Sequence, residues 1–255
     1  MDIVAIIGTL LGSGLLLLGA SMEGLELVDI IQVTAAFIVF GGTAGAVVLS
    51  FPGDVLLGSF KQLKAVYFMS PPKLDALIKE IVEYSQKARK EGVIALEKLA
   101  KNASDPLLEL GLGAVADGAD PSLVRSMLET QVAQEEAWVA ATAKVYESFG
   151  GYSPTLGIIG AVMGLIVVMK NLADPAKLGA GIAVAFVATI YGLFAANIIA
   201  IPISTRIKFK YQKVFVAKEL IIEGILAIQA GESPALIDRK LSTYILAGSS
   251  KSKKA

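Results

Sequence analysis

The run LGAGIAVAFVATIYGLFAANIIAIPI, residues Leu178–Ile203, contains no Asp, Glu, Lys, Arg or His. A helix needs about 20 apolar residues to cross the hydrocarbon core of a bilayer, so this stretch predicts a membrane span. Three other stretches share its character: Ile3–Ala20, Val33–Phe51 and Tyr152–Met169. None of the four holds an acid, a base or a histidine in its interior. Ionisable groups inside a membrane are costly and usually mark ion paths. A chain that keeps none is either a passive scaffold or half of a machine whose charged group sits on a partner.

Of the 255 residues, 55% are hydrophobic, which places the chain among membrane proteins. It has no cysteine and no histidine. That removes disulfides, thiol nucleophiles, imidazole bases and zinc or haem ligation. No nucleophile–base pair, metal cluster or phosphate loop is present, so neither an enzyme nor a cofactor or metal site is predicted. Nothing predicts a nucleic-acid partner; the spans make membrane lipid the surrounding one. The first apolar run follows Met1-Asp2 without a basic segment ahead of it, and is read as a retained span rather than a cleaved signal.

Charge assigns the sides. The connection Ser21–Gln32 carries Glu23, Glu26 and Asp29 and no Lys or Arg, and Lys170–Lys177 has only its two terminal lysines. The segment Pro52–Gly151 carries eleven Lys or Arg and the tail from Ser204 carries ten. Basic residues close to span ends mark the cytoplasmic side. Both termini and the middle segment are therefore expected in the cytoplasm, as in a multi-pass membrane protein.

The expected fold is all-α: a polytopic membrane protein with four transmembrane helices and a helical cytoplasmic domain inserted between helices two and three. Residues 1–51 form the first hairpin, 52–151 the cytoplasmic domain, 152–203 the second hairpin and 204–255 the C-terminal helices and basic tail. Within the domain, Leu74, Leu77, Ile78 and Ile81 have the spacing of one helix face, starting after Pro71-Pro72 and ending at Gly92. A short helix follows over about Val93–Ala100. Asp105-Pro106 and Asp120-Pro121 each read as an N-cap with proline in the first turn. The second opens a run from Ser122 to Phe149, expected to break at Gly150-Gly151 and Ser153-Pro154. The fourth span is expected to continue as one helix to about Ala230, stopped by Gly231. A last helix covers Ala235–Leu246, and the Ser- and Lys-rich end, 249–255, is expected to be disordered.

Glycines recur in every span. Gly8-x-x-x-Gly12 is a small-residue face suited to close helix contact, and Gly157, Gly160 and Gly164 in span three invite the same reading. Pro154 and Pro202 stand near the same predicted membrane face. They are either a helix start capped by Ser153 and a tolerated kink, or a paired hinge. Thr155, Thr189 and Asn197 are rare polar groups. Such a hydroxyl either bonds its own helix or offers an oxygen to a passing cation.

The chain resembles the MotA/PomA family, the larger stator subunit of the bacterial flagellar motor. The resemblance rests on FIVFGGT at 37–43, ARKEGVIALE at 88–97, PTLGIIGAVMG at 154–164 and GIAVAFVATIYG at 181–192, with a continuation to Pro202. It implies a homo-oligomeric ring, a homopentamer in the family, around a MotB-type single-span partner whose membrane aspartate carries the ion. It implies torque on the rotor protein FliG, and so flagellar rotation and chemotaxis. Pro154 and Pro202 match the family's coupling prolines, and Arg89 and Glu97 its charged pair at the rotor. Thr189 matches the threonine at the ion path, with Thr155 beside Pro154. Ala161 stands where sodium-coupled relatives carry threonine, and Ala188 also lacks a hydroxyl seen in those relatives. Protons are therefore the expected coupling ion, with sodium the alternative. The stretch 30–35 departs from the family pattern in lacking an Asp and a Ser.

The rival reading is an ExbB/TolQ-type proton-driven subunit. Those relatives have three spans and usually a membrane glutamate; this chain has a further hairpin and no such residue. A solute transporter would predict polar or charged midplane groups and repeat symmetry; here the polar groups are sparse and the two hairpins do not look alike.

Overall fold

A computed structural model describes residues 2–250, and the chain is built from helices; no strand occurs among the described residues. In chain order these are α1 (Ile3–Met22), α2 (Val33–Ala36), α3 (Gly42–Ser50), α4 (Gly53–Phe68), α5 (Leu74–Glu91) and α6 (Leu96–Ala100). They continue with α7 (Pro106–Ala116), α8 (Pro121–Lys170), α9 (Pro175–Phe194), α10 (Ile201–Gln229) and α11 (Pro234–Ser250). Two wide π-helical segments, Phe37–Gly41 and Ala195–Ala200, join α2 to α3 and α9 to α10. Four helical runs are long and apolar enough to cross a membrane, at Ile3–Met22, Val33–Ser50, and within Pro121–Lys170 and Leu178–Gln229.

The chain divides into two compact units. One comprises residues 1–70 and 138–210 and holds the four apolar runs. Its first span shows little of itself to the others: α1 buries only Ala5. Leu10, Leu15, Leu49, Phe37 and Phe186 are exposed, as side chains meant for lipid or a neighbouring subunit are.

The second unit comprises residues 71–137 and 211–255, of which those up to 250 are described. It has an ordinary apolar core. Leu77 and Ile81 of α5, Leu107, Leu108 and Leu112 of α7, Leu128 of α8, Ile221 and Ile225 of α10 and Ile237 and Leu241 of α11 are all buried in it. The end of α10 and α11 thus share one core with α5–α7. Asp105 caps α7 by accepting from the Leu107 N–H at 2.8 Å. Asp120 accepts from the Ser122 N–H at 2.8 Å and opens α8.

The expected break at Gly150-Gly151 and Ser153-Pro154 does not occur. Helix α8 runs through all of it, and Ser153 is no cap. Its hydroxyl donates instead to the Gly192 carbonyl at 3.2 Å, so contact with the neighbouring helix holds this stretch helical. Proline at 154 removes only the bond to the Gly150 carbonyl. Helix α10 ends at Gln229, followed by Gly231 at φ +70, a conformation costly for other residues. Helix α11 runs on to Ser250, past the expected Leu246; the remainder of the tail expected to be disordered, 251–255, lies outside the described residues.

Candidate functional site

The third and fourth spans meet glycine against backbone. A Cβ added at Gly164 would lie 2.6 Å from the Gly181 carbonyl oxygen and 2.8 Å from the Ala185 nitrogen. One at Gly157 would lie 2.9 Å from the Ala188 carbonyl oxygen and 3.4 Å from the Thr189 Cα. One at Gly192 would strike the Ser153 carbonyl oxygen and come within 3.1 Å of the Pro154 Cα. Such approach needs hydrogen in place of a side chain on both helices. Span two joins this pair through Ala35 and Val39, packed with Val187 and Ala188, and through Gly42, over which the Leu156 side chain lies. The Gly8–Gly12 face behaves differently. Gly8 has no heavy atom of this chain near its missing Cβ, and Gly12 meets only the Ile198 side chain at 3.6 Å. Span one leans lightly on the π segment there, and no close helix contact forms.

These contacts gather part of the expected ion-path set. Pro154 and Thr189 both border the Gly157–Gly192 contact and are half-buried. Ala161 is half-buried on span three, while Thr155 is exposed and its hydroxyl donates to the Tyr152 carbonyl at 2.7 Å. Thr189 donates to the Ala185 carbonyl at 3.2 Å and Asn197 to that of Leu193 at 2.9 Å. Each polar group is thus satisfied by its own helix. Ala188 is fully buried against Gly157 and Gly160, so a hydroxyl there would face span three.

Pro202 is exposed, yet its neighbourhood reaches span three. The Ile201 side chain packs on Gly150, where a Cβ would lie 2.7 Å from it. Gly150 is the residue whose carbonyl loses its helical donor to Pro154. Pro202 removes the matching donor for Ile198, which lies within the π segment. There the Ile201 N–H reaches back five residues to the Ala196 carbonyl, and this wider turn accommodates the proline ring. Both interrupted hydrogen bonds therefore flank one contact layer.

A cluster that the sequence reading missed sits at the start of span one. Asp2 caps α1 by accepting from the Ala5 N–H at 3.3 Å, and its carboxylate pairs with Arg206 at 2.5 Å and Lys210 at 3.1 Å. Lys210 is buried and also donates to the Ala65, Val66 and Met69 carbonyls at 2.8, 2.7 and 3.0 Å. These carbonyls lie at the C-terminal end of α4, where a cation is favoured, and that of Ala65 also accepts from the Met69 N–H at 3.3 Å. The Asp2 N–H donates to the Tyr67 carbonyl at 2.6 Å. Asp2 ahead of an apolar run was legible as a cap; its far partners were not. Hydrogen bonding from Arg206, then Lys210, holds the Asp2 carboxyl well below its ordinary value of 3.8. A lowered folded-state value means the ionised group stabilises the fold above about pH 3.8, and that this is lost as pH falls towards the folded value. Asp2→Asn is accordingly expected to lower the thermal midpoint of the purified chain at pH 7, with the gap to the parent closing below about pH 4.

In the second unit, Arg89 lies in the last turn of α5 and Glu97 in the first turn of α6. Gly92, at φ +84, turns the chain between them. Ala88 and Leu96 are buried beside them and anchor the turn, leaving both charged groups exposed. Glu97 pairs at 3.9 Å with Lys101, which is itself exposed, a weak contact that leaves the carboxylate available. Arg89 takes part in no ion pair among those of the described residues.

Four neutral spans, two of them in backbone contact, with a separate folded unit carrying exposed charges, define a helical multi-pass membrane protein. Residues 99–219 match the profile of the MotA/TolQ/ExbB proton channel family. The chain is 32% identical over 251 residues to Motility protein A of Helicobacter pylori, covering 98% of both chains. It is 30% identical over 248 residues to Chemotaxis protein PomA of Vibrio alginolyticus, covering 97% of each. The solved Campylobacter jejuni MotAB structure superposes with a TM-score of 0.89 at 28% identity, covering 96% of both chains. The Bacillus subtilis flagellar MotAB stator complex gives 0.88 at 29%, covering 98% of both. The chain belongs to the MotA/TolQ/ExbB proton channel family, as a MotA/PomA-type flagellar stator subunit and not an enzyme.

Proposed function

We propose that this subunit forms a homopentameric ring around a MotB-type single-span partner, and that the two together couple proton flow to torque on FliG. The observation that carries the reading is the neutrality of all four spans. Protons need a titratable group in the membrane, and here a partner must supply it. Relatives of known structure are MotAB complexes, which fits such a partner. A carboxylate among apolar walls has its pKa raised, so it loads from one side and discharges to the other near neutral pH. Pro154 and Pro202 then act as a hinge: both weaken helix hydrogen bonding beside the Gly150–Ile201 contact, where small shifts cost least. The basic residues close to the span ends support a cytoplasmic position for both termini and the second unit. There Arg89 and Glu97 face the rotor, orienting it more than holding it. Thr189, Thr155 and Ala161 border the ion path.

The test is swimming speed in a complemented motile strain, with sodium and pH varied separately. Speed should follow the proton gradient and ignore sodium at fixed pH; a sodium-dependent speed would overturn the proton assignment. Arg89→Glu or Glu97→Lys should cut speed by roughly half or more, with protein level and assembly intact. Full speed in both variants would remove these residues from the rotor surface.

A further inference from the structure

Helix α4 has two unlike faces. Val55, Gly58, Ser59, Gln62 and Val66 point inward and are buried. Gly58 is covered by the Trp138 ring, and the Ser59 carbonyl accepts from the Tyr146 hydroxyl at 2.8 Å. The outward face carries Leu57, Phe60, Lys61, Lys64 and Phe68, at the three- and four-residue steps of one helical stripe. Its three apolar members are between 65% and 70% exposed, far more than a soluble helix usually shows in one row. Lys61 and Lys64 are exposed and take part in no ion pair among those of the described residues. Asp54, the one acid of the helix, stands at its first turn.

The ends of α4 fix how it lies. Its first turn follows directly on Ser50, where span two ends. Its last turn bonds to Asp2, where span one begins, through the Tyr67 carbonyl. The start of the first span of a hairpin and the end of the second lie at the same membrane face. A 16-residue helix strung between them, about 24 Å long, must run along that face. Its outward stripe then continues the exposed apolar surface of the spans, Ile3, Val4 and Leu49 among it.

We propose that this stripe is a lipid-binding surface, with Leu57, Phe60 and Phe68 inserted among acyl chains and Lys61 and Lys64 on the headgroups of anionic phospholipid. Apolar residues interleaved with lysine make the pattern by which a helix rests in a membrane interface. The long lysine stems lie along the apolar surface and lift their ammonium groups into the headgroup layer. Bound lipid would steady the helix whose C-terminal end Lys210 caps. The proposal rests on the membrane reading of the spans and is independent of the coupling ion and the rotor.

The chain has no cysteine, so Phe60→Cys offers a unique labelling site on the full-length protein. A nitroxide placed there, in nanodiscs of phosphatidylcholine with phosphatidylglycerol, should be relaxed by oxygen and protected from a water-soluble nickel chelate. Leu57→Cys should behave alike. Mass spectrometry of the protein extracted from such discs should show phosphatidylglycerol enriched, with the enrichment falling about ten-fold in the Lys61→Gln/Lys64→Gln variant. Nickel access to the label would show a solvated face, and exclusion of both quenchers a face covered by a second copy; either overturns the proposal. Oxygen access without phosphatidylglycerol enrichment would overturn it too, by removing the anionic headgroup. Failure of the unlabelled parent to insert into the discs would count against the membrane reading of the spans instead.

Discussion

Gly164→Ala and Gly192→Ala are expected to abolish motility and to lower the yield of folded protein severely. Each new methyl group would meet backbone, not a side chain that can turn away. At Gly164 the obstacles are the Gly181 carbonyl oxygen at 2.6 Å and the Ala185 nitrogen at 2.8 Å; at Gly192 they are the Ser153 carbonyl and the Pro154 Cα. Overpacking that side chains absorb costs about 1–3 kcal/mol, and separating two whole helices lies at or beyond the upper end. Parting the helices would also break the Ser153–Gly192 hydrogen bond. A lipid-exposed comparison is built in: Gly14 has no heavy atom of this chain within 4 Å of its missing Cβ. Alanine there gains about 1 kcal/mol of helix propensity, so Gly14→Ala should fold and swim as the parent does. Thermal unfolding in detergent and swim-plate diameter measure both. Parental motility in Gly164→Ala would mean that these spans are not held at the observed distance.

The contrast between Gly14 and Gly164 shows what a sequence can display and what it cannot. Both are glycines in apolar runs, and the runs themselves were legible because length and lack of charge alone decide a span. Which glycines touch a neighbour depends on how the helices pair, and that is a long-range property. The Gly8–Gly12 face has the right spacing and no close partner, because span one leaves nearly all its surface exposed. Local signals did better where the physics is local. Asp105-Pro106, Asp120-Pro121, Gly92 and Gly231 mark helix ends through caps and backbone freedom. Gly150, Gly151 and Pro154 carry equally strong local signals for a break, and there tertiary contact wins: span four holds that stretch helical. The π segments left no trace legible in advance, although Pro202 two residues beyond Ala200 was a pointer to the second. Arg89 and Glu97 came from motif resemblance. Their exposure follows from the buried Ala88 and Leu96 beside them, which ordinary periodicity would not single out. The Asp2–Lys210 cluster joins residues from opposite ends of the chain and was beyond any local reading.

Reconstituted alone in vesicles, the purified chain is expected to carry no proton or sodium current above the lipid background. An ion crossing the hydrocarbon needs either a site that takes up its charge or a set of oxygens to replace its water. None of the four apolar stretches contains an acid or a base. Four threonine hydroxyls of the spans are held against their own helices, Thr9 donating to Ala5, Thr43 to Val39, Thr155 to Tyr152 and Thr189 to Ala185, and each leaves a single oxygen free to face an ion. Sodium asks for several oxygens at once, and this arrangement offers no such set. Adding a MotB-type partner should make current appear, and replacing the partner's membrane aspartate with asparagine should remove it while leaving the complex assembled. The effect is all or nothing because the charge needed for transfer belongs to one residue on one polypeptide. Pro154→Ala in the assembled complex separates the two tasks: it leaves that carboxylate in place and restores the helical donor to the Gly150 carbonyl. Current that persists while torque falls is the expected signature of a coupling hinge. Loss of membrane insertion in that variant would return Pro154 to a purely structural role, and current through the chain without any partner would end the split-site reading altogether.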